Sequence, residues 1–348
     1  MRISVDIGFG YVKAENEEGK SILFPSVVGL RRASNVAGVF GEQFDDYIVT
    51  IKKGDEDQNS YYVGDAGLTS GGTRTWEDEH AKNRNLEVLI ATAMGILNEK
   101  EEPVELAVGL PMNVFSAQHE ELKRKLTGLS LDVSVEGERQ PKNSKIQVSS
   151  VFVFPQGAGA YYAALHNIDG SVKDANLLNK PLAVIEIGFR TTDFLFMSLG
   201  KRGLQPRPEP FTGSLDIGMN TAQTEIQQAA KKELGGYEPD LKEIEKALLW
   251  PGMNGILTAK GKSIDLKPFR KQANENVASR IISQLKQRWR DEVNTLSSVM
   301  IGGGGGDDLY SHFEQAFGIT QKVENPQFAN AKGFLAAQAL ALRAAGRG

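Results

Sequence analysis

Short β-branched runs alternate with amphipathic stretches along this chain. Apolar runs bounded by glycine, proline or charged residues predict strands at Ile3–Ile7, Val104–Gly109, Val148–Phe154, Leu182–Ile187, Thr191–Met197 and Ser298–Ile301. Apolar residues three or four positions apart predict helices at Leu86–Asn98, Glu120–Leu126, Gly157–Leu165, Thr221–Leu234, Glu243–Leu249, Phe269–Trp289, Leu309–Phe317 and Gln327–Ala345. This alternation predicts an α/β fold with buried central strands.

One strand pattern occurs twice. Ser4–Phe9 and Val184–Phe189, offset by 180 residues, each contain an apolar strand, a carboxylate and the tripeptide Ile-Gly-Phe. A coincidence of two ordinary β-turns is one explanation, and a chain of two related α/β halves that face each other is the other. Residues 31–83, rich in glycine and small polar residues, and residues 201–290 are expected to be insertions into these halves.

The amino-acid composition argues against several classes of function. The 348 residues include 40 Lys and Arg against 44 Asp and Glu, a net charge of −4, so no global basic field attracts nucleic acid or an anionic membrane. The absence of cysteine excludes disulfides and thiolate chemistry and fits a reducing cytosol. No apolar run approaches the ~18 residues of a membrane helix, and no signal peptide precedes the first strand. We therefore expect a cytoplasmic protein.

Both copies of the repeated pattern have the residues of a phosphate-binding turn. In Asp6–Lys13 an acid ends the strand, two glycines form the turn and a lysine lies on the returning strand. Glycines let backbone N–H groups approach phosphate oxygens, the lysine adds a cation, and the acid can hold a magnesium-bound water. Glu186–Asp193 repeats the strand, the acid and the turn, and here two threonine hydroxyls follow the turn. A plain β-hairpin explains one segment alone, whereas two such turns in one cleft would hold a polyphosphate from both sides.

Two further segments contain residues that could bind a ligand or take part in a reaction. The strand that ends at Ile301 opens into five glycines, Gly302–Gly306, and this costly run favours close approach of a nucleotide over a flexible connector. Gln156 lies where a strand turns into a helix of small residues, and its amide can orient a water without ionising it. A polar residue at a helix N-terminus is the other explanation for Gln156.

In their order along the chain, five elements resemble those of actins, sugar kinases and DnaK-type chaperones. Asp6–Lys13 and Glu186–Asp193 look like the two phosphate loops of the superfamily. Its two connecting helices have their counterparts in Pro155–Leu165 and Asn330–Leu340, and its adenosine loop in Ile301–Asp307. Within this superfamily, Thr191–Asp193, Val108–Pro111 and Asn330–Gly333 are most similar to plasmid-segregation actins of the ParM/StbA type and their archaeal relatives.

The resemblance implies an actin-like α/β fold of two ribonuclease-H-like domains with a nucleotide cleft between them. The first domain would cover residues 1–165, with the inserted subdomain at about 31–83, and would be completed by the C-terminal helix at 327–348. The second would cover 166–326, with its insertion at about 201–290.

The same resemblance implies ATP or ADP and Mg²⁺ as cofactors. Catalysis would involve Gln156, Asp6 and Glu186, and the two acids would hold the metal through water. Nucleotide contacts would come from Gly8, Phe9, Gly10, Tyr11, Lys13, Gly188, Arg190, Thr191, Thr192, Gly302, Gly303, Gly304, Gly305 and Asp307. Glu186 stands where the family more often has aspartate, Phe189 replaces a common glycine, and Gln156 stands where ParM-type proteins often carry glutamate.

The leading hypothesis is an actin-like ATPase that polymerises with ATP and disassembles after hydrolysis, for plasmid or DNA segregation. Its partners would be further copies of itself and a DNA-binding adaptor, with no direct nucleic-acid or membrane contact. A small-molecule kinase of the same superfamily stays open, with Asp193 as its base. A nucleotide-sensing, chaperone-like module is a third reading, although no peptide-binding domain follows the last helix.

Overall fold

The computed structural model describes residues 1–31, 47–54, 58–74, 84–137, 142–201, 203–249 and 252–346. Contacts divide the chain into unit 1, Met1–Leu178 with Val323–Gly348, and unit 2, Asn179–Lys322. The first boundary of unit 1 lies beyond the expected 165/166 because the segment after Leu165 folds back onto this unit. The backbone N–H of Lys173 donates to the Leu165 carbonyl at 2.8 Å.

The elements follow each other along the chain in three groups. The first strands of unit 1 are β1 (Arg2–Ile7), β2 (Tyr11–Asn16), β3 (Ser21–Pro25), β4 (Val27–Leu30), β5 (Tyr47–Lys52), β6 (Asn59–Val63), β7 (Thr73–Arg74), β8 (Val104–Leu110), β9 (Ser130–Glu136) and β10 (Lys142–Pro155). Its first helices are α1 (Asp65–Thr69), α2 (Arg84–Leu97), α3 (Met112–Leu126) and α4 (Ala158–Leu165).

Unit 2 follows, and the chain then returns to unit 1. The strands of unit 2 are β11 (Leu182–Ile187), β12 (Thr192–Gly200), β13 (Gly203–Pro206), β14 (Gly213–Leu215), β15 (Ile256–Ala259), β16 (Lys262–Asp265), β17 (Ser298–Gly302) and β18 (Thr320–Lys322). Its helices are α5 (Met219–Glu233), α6 (Leu241–Leu249), α7 (Lys267–Trp289) and α8 (Gly306–Phe317). The last helix, α9 (Ala329–Ala344), belongs to unit 1.

In unit 1, ten of the described strands form one sheet in the order β3-β2-β1-β8-β10-β9-β5-β6-β4-β7. Strand β10 joins its two parts, because its second half pairs in parallel with β8 and its first half pairs antiparallel with β9. The described strands from the region 31–83 are therefore connected to the main sheet through β9. Other residues of that region lie outside the described ranges.

In unit 2, the main path of the described sheet is β13-β12-β11-β17-β18, with β14 beside β12. Helix α7 buries Val277, Ile281, Leu285 and Trp289 at intervals of four residues, which place them on one face. These residues and several from α5 lie in the hydrophobic core of the unit. The region 201–290 thus contributes part of this core. None of the described helices is both long enough and apolar enough to cross a membrane.

The pattern that occurs twice in the sequence also occurs twice in the structure. Strands β1 and β2 form an antiparallel hairpin in which Asp6 lies opposite Lys13, and β11 and β12 form one in which Glu186 lies opposite Asp193. Strand β1 pairs in parallel with β8, and β11 pairs in parallel with β17. The first strand of each hairpin therefore occupies the same place in its sheet.

Candidate functional site

The turn of unit 1 brings an acid and a lysine together at the end of β1. The Gly8 N–H donates to the Tyr11 carbonyl at 3.1 Å and closes the turn. The Lys13 ammonium lies 3.7 Å from Asp6 Oδ2, and both side chains are largely buried. A Cβ atom on Gly8 would lie 3.0 Å from Lys13 Nζ, so glycine at this position leaves room for the ammonium beside the turn.

Gln156 joins this group from the end of β10. Its Nε2 donates to Asp6 Oδ1 at 2.8 Å and to the Ile7 carbonyl at 3.3 Å. Its backbone N–H donates to the Leu110 carbonyl at 2.7 Å, which fixes the chain beside β8. The amide therefore contacts the acid of the turn, and α4 has no side-chain cap. The structure favours a role for Gln156 at the turn over a helix-capping role.

Helix α9 supports the chain immediately after Gln156. The Asn330 side-chain oxygen accepts from the Gly157 N–H at 3.1 Å. A Cβ on Gly333 would lie only 1.7 Å from the Gly159 carbonyl oxygen, so α4 and α9 cross with backbone against backbone. Because such a crossing fixes the position of α4, it also fixes the residue that precedes it. The resemblance identified Asn330–Leu340 as a connecting helix, but Asn330 was not among the predicted site residues.

The turn of unit 2 is closed by the same backbone hydrogen bond as the turn of unit 1. The Gly188 N–H donates to the Thr191 carbonyl at 2.9 Å, and Glu186 and Asp193 are both buried beneath the turn. Thr192 is fully buried, and its hydroxyl donates to the Ile217 carbonyl at 2.7 Å. The Thr192 side chain therefore stabilises the turn from within unit 2.

The glycine run packs against the end of β11. The Gly305 N–H donates to the Ile187 carbonyl at 2.9 Å. Gly303 has φ +84°, and a Cβ there would lie 2.3 Å from the same carbonyl oxygen. A Cβ on Gly305 would lie 2.7 Å from Met219 Sδ, whereas one on Gly304 would meet no atom within 4 Å. Packing within unit 2 therefore requires glycine at Gly303 and Gly305, and Gly304 is the open position of the run.

Two charged residues of the predicted site form exposed ion pairs. Asp307 lies in the first turn of α8, and its Oδ1 is 2.6 Å from Lys322 Nζ. Arg190 Nε lies 3.4 Å from Asp216 Oδ1. Exposed pairs of this kind contribute little to stability, so both charges can exchange these partners for a ligand at small cost.

Helix α5 begins directly behind the turn of unit 2. The N–H groups of Met219 and Asn220 donate to the carbonyls of Gly188 and Phe189, at 3.1 and 2.7 Å. A Cβ on Gly218 would lie 2.5 Å from the Phe189 carbonyl oxygen, which explains glycine before the helix. Gly218 was not predicted; a glycine directly before an amphipathic run was the available signal.

The acids of both turns suit a hydrated magnesium ion. A carboxylate offers about four lone-pair positions, and Asp6 uses one for Gln156 while Lys13 stays at ion-pair distance. This leaves acceptor capacity for a metal-bound water, the contact that Mg²⁺ prefers because it keeps several waters. Glu186 and Asp193 lie directly opposite each other on β11 and β12, where two carboxylates repel unless a cation offsets them. The described residues include no cluster of three or more His, Asp or Glu able to hold a metal.

Comparison with known proteins agrees with this arrangement. Residues 4–159 match the family model of the actin-like proteins' N-terminal domain, and residues 184–315 match that of the C-terminal part of an archaeal, MreB-like actin homologue. The chain is an actin-like protein. The resemblance to ParM-type proteins and the actin-like α/β fold predicted from the motifs are confirmed.

Relatives span nearly the whole of this actin-like chain. An archaeal actin homolog of Thermoplasma volcanium is 28% identical over 342 residues, which cover 95% of this chain and 97% of the relative. A ParM from Clostridium botulinum, solved as a 15-stranded filament, is 25% identical with a TM-score of 0.80, covering 98% of this chain and 99% of that one. An archaeal actin homolog in complex with ADP has a TM-score of 0.77 at 23% identity, covering 97% and 98%, and shows the shared fold.

Proposed function

We propose that this actin-like protein binds and hydrolyses ATP with Mg²⁺, polymerises in the ATP state and disassembles after hydrolysis. The observation that carries the proposal is the repeated turn, with the same closing hydrogen bond and the same strand register in both units. Each turn places backbone groups, a buried acid and either Lys13 or the Thr191 hydroxyl near the end of a central strand. This is the chemistry that a polyphosphate and its metal require.

The residues of unit 1 support a hydrolytic role. When bound, the metal ion would neutralise phosphate charge as a Lewis acid. Lys13 would bind phosphate oxygen, Asp6 would hold metal-bound water, and Gln156 would orient Asp6 and the attacking water. An amide orients water without accepting its proton at neutral pH, so we expect slow turnover.

Unit 2 would supply the remaining nucleotide contacts. The turn Gly188–Thr191, Glu186 and the open position Gly304 are the candidates there. The ADP complex of the archaeal homologue supports adenine nucleotide as the ligand class.

Self-association is supported by the ParM relative that forms a filament. We propose further copies of this chain as its principal partner and a DNA-binding adaptor as the link to a plasmid or other DNA cargo. The absence of cysteine supports action in a reducing cytoplasm.

The test is a pelleting assay in Mg-ATP, in Mg-ADP and without nucleotide, with phosphate release measured in parallel. The wild type should pellet with ATP and release phosphate as the pellet declines. Asp6→Ala should lose turnover, whereas Asp132→Ala, an exposed acid on β9, should behave as the wild type. ATP turnover that needs an added hydroxyl substrate, without pelleting, would instead indicate a kinase.

A further inference from the structure

Ser26 is a buried residue beside the turn of unit 1. It is the single residue between β3, which ends at Pro25, and β4, which begins at Val27, and its exposed fraction is 0%. The register of β2 with β3 places Tyr11 opposite Pro25, so the residue after Pro25 lies next to the turn.

Ser26 donates two hydrogen bonds to this turn. Its hydroxyl donates to the Gly8 carbonyl at 2.6 Å, and its backbone N–H donates to the Gly10 carbonyl at 2.9 Å. One buried residue therefore holds two of the carbonyl groups in the segment Gly8–Tyr11. A buried carbonyl that lost its donor would carry the desolvation cost of an unsatisfied group, so these bonds fix both peptide orientations.

The orientation of these carbonyls sets the direction of the neighbouring N–H groups. In a trans peptide the C=O and N–H bonds point in opposite directions. With the Gly8 and Gly10 carbonyls directed at Ser26, the N–H groups of Phe9 and Tyr11 point away from it. Negative carbonyl oxygens are thereby kept on the Ser26 side of the turn, and positive N–H ends are presented on the other side, which is the polarity that an anion requires.

Unit 2 holds the carbonyl of its first turn glycine by other means. There the Gly188 carbonyl accepts from the Met219 N–H and the Phe189 carbonyl accepts from the Asn220 N–H, both at the start of α5. In each unit the carbonyl of the first turn glycine is thus bound by a group outside the hairpin. Only in unit 1 is that group a side-chain hydroxyl.

We propose that Ser26 is the positioning residue of the phosphate-binding turn, an inference that rests on the proposed nucleotide binding. Its hydroxyl holds the Gly8–Phe9 peptide in the orientation that accepts phosphate. It therefore controls affinity for the phosphate groups of the nucleotide and leaves affinity for the nucleoside unchanged.

Ser26→Ala tests this proposal, with Ser4→Ala as the matched control. Ser4 is equally buried, on β1, and its hydroxyl donates to the Glu15 carbonyl at 3.2 Å, away from the turn. Calorimetric titration of each variant with Mg-ADP and with adenosine separates phosphate binding from nucleoside binding. We expect Ser26→Ala to weaken ADP binding about tenfold, the equivalent of one lost hydrogen bond, with adenosine affinity unchanged. Ser4→Ala should bind both ligands as the wild type does, although both variants should lower the thermal midpoint.

A second variant protects the test against loss of folding. Ser26→Cys preserves the shape of the side chain but offers only a weak S–H donor, and the chain has no other cysteine. Its ADP affinity should lie between those of the wild type and Ser26→Ala. Equal weakening of ADP and adenosine, or wild-type ADP affinity in either Ser26 variant, would overturn the proposal. A wild-type protein that binds neither ligand would overturn the proposed function itself, which is a distinguishable result.

Discussion

The turns of the two units share their closing hydrogen bond but differ in what holds them. In unit 1 a serine hydroxyl binds the first glycine carbonyl, and a glutamine side chain binds the acid. In unit 2 backbone N–H groups at the start of α5 bind two carbonyls of the turn, and the glycine run packs against the end of β11. The turn of unit 1 is therefore held largely by side chains, and the turn of unit 2 largely by backbone.

This difference determines which substitutions each turn tolerates. Removal of a few side-chain atoms changes a turn held by hydroxyl and amide groups, and the surrounding fold survives. A turn held by backbone is insensitive to most side-chain truncations but does not tolerate a Cβ where two backbones touch. We therefore expect polar substitutions to alter chemistry in unit 1 and glycine substitutions to alter folding in unit 2.

The largest effect should come from Gly303→Val. The residue has φ +84°, and its Cβ would lie 2.3 Å from the Ile187 carbonyl oxygen, so unit 2 should lose about 4 kcal/mol or more of stability. Urea unfolding followed by circular dichroism measures this loss. Gly304→Ala is the control and should unfold as the wild type does, because a Cβ there meets no atom within 4 Å. A folded Gly303→Val protein of normal stability would contradict the backbone account of unit 2.

Gln156→Ala should act on chemistry and leave unit 1 folded. Loss of the amide frees Asp6 from its 2.8 Å hydrogen bond and removes the group that orients water. Phosphate release should slow by roughly 10–1000-fold, with ATP binding retained. A paired time course of phosphate release and light scattering should show longer-lived scattering. Gln147→Ala, which changes an exposed glutamine on β10, should match the wild type. Unchanged release in Gln156→Ala would remove this residue from the catalytic set.

Each unit also contains a buried carboxyl group whose pKa is raised, and the two groups differ in their surroundings. Burial raises the pKa of Glu245, on α6 in unit 2, to about 7. Burial also raises the pKa of Glu15 in unit 1, but there the charge of Lys332 opposes the shift.

Stability should therefore fall with rising pH in a defined window. Between about pH 4.5 and 7 folded Glu245 keeps a proton that the unfolded chain has released, so unfolding becomes easier by up to about 3 kcal/mol across this window and changes little above it. Urea titrations at several pH values measure the slope. Glu245→Gln should flatten it, and Glu233→Gln, on the exposed surface of α5, should not. An equal slope in all three proteins would exclude Glu245 as its source.

The smallest of these effects concerns Thr192→Val. Thr192 donates to the buried Ile217 carbonyl, whereas the equivalent position of the first hairpin is Val12. The substitution leaves that carbonyl unsatisfied and should cost about 1–3 kcal/mol in urea unfolding. Thr224→Val removes an exposed hydroxyl bond from α5 and should cost less than about 0.5 kcal/mol. Comparable losses in both variants would mean that burial of the Thr192 bond is unimportant.

The central strands and most of the helices were predictable because their signals are local. The apolar run at β11 and the four-residue spacing in α7 are legible without knowing what they pack against. Only parts of β10 and α3 were predicted, because the first half of β10 is mostly polar and α3 begins with a less regular pattern. Several strands outside the six predicted runs, β9 among them, were not predicted.

The supports of the turns could not be predicted in the same way. Ser26 and Gly8 are 18 residues apart, and Asn330 and Gly157 are 173 apart, so nothing near either residue indicates its partner. The glycine run illustrates a second limit. Its composition indicates close approach to the backbone, but a sequence does not distinguish approach by a ligand from approach by Ile187, which is what Gly303 accommodates.

A crystal structure with Mg-ADP tests the central claim, that the repeated turns bind nucleotide, most directly. The account predicts phosphate oxygens within hydrogen-bond distance of backbone N–H groups in Gly8–Tyr11 and in Gly188–Thr191, with Asp6 joined to the magnesium ion through water. Phosphates bound away from both turns, in a protein whose fold is unchanged, would contradict it.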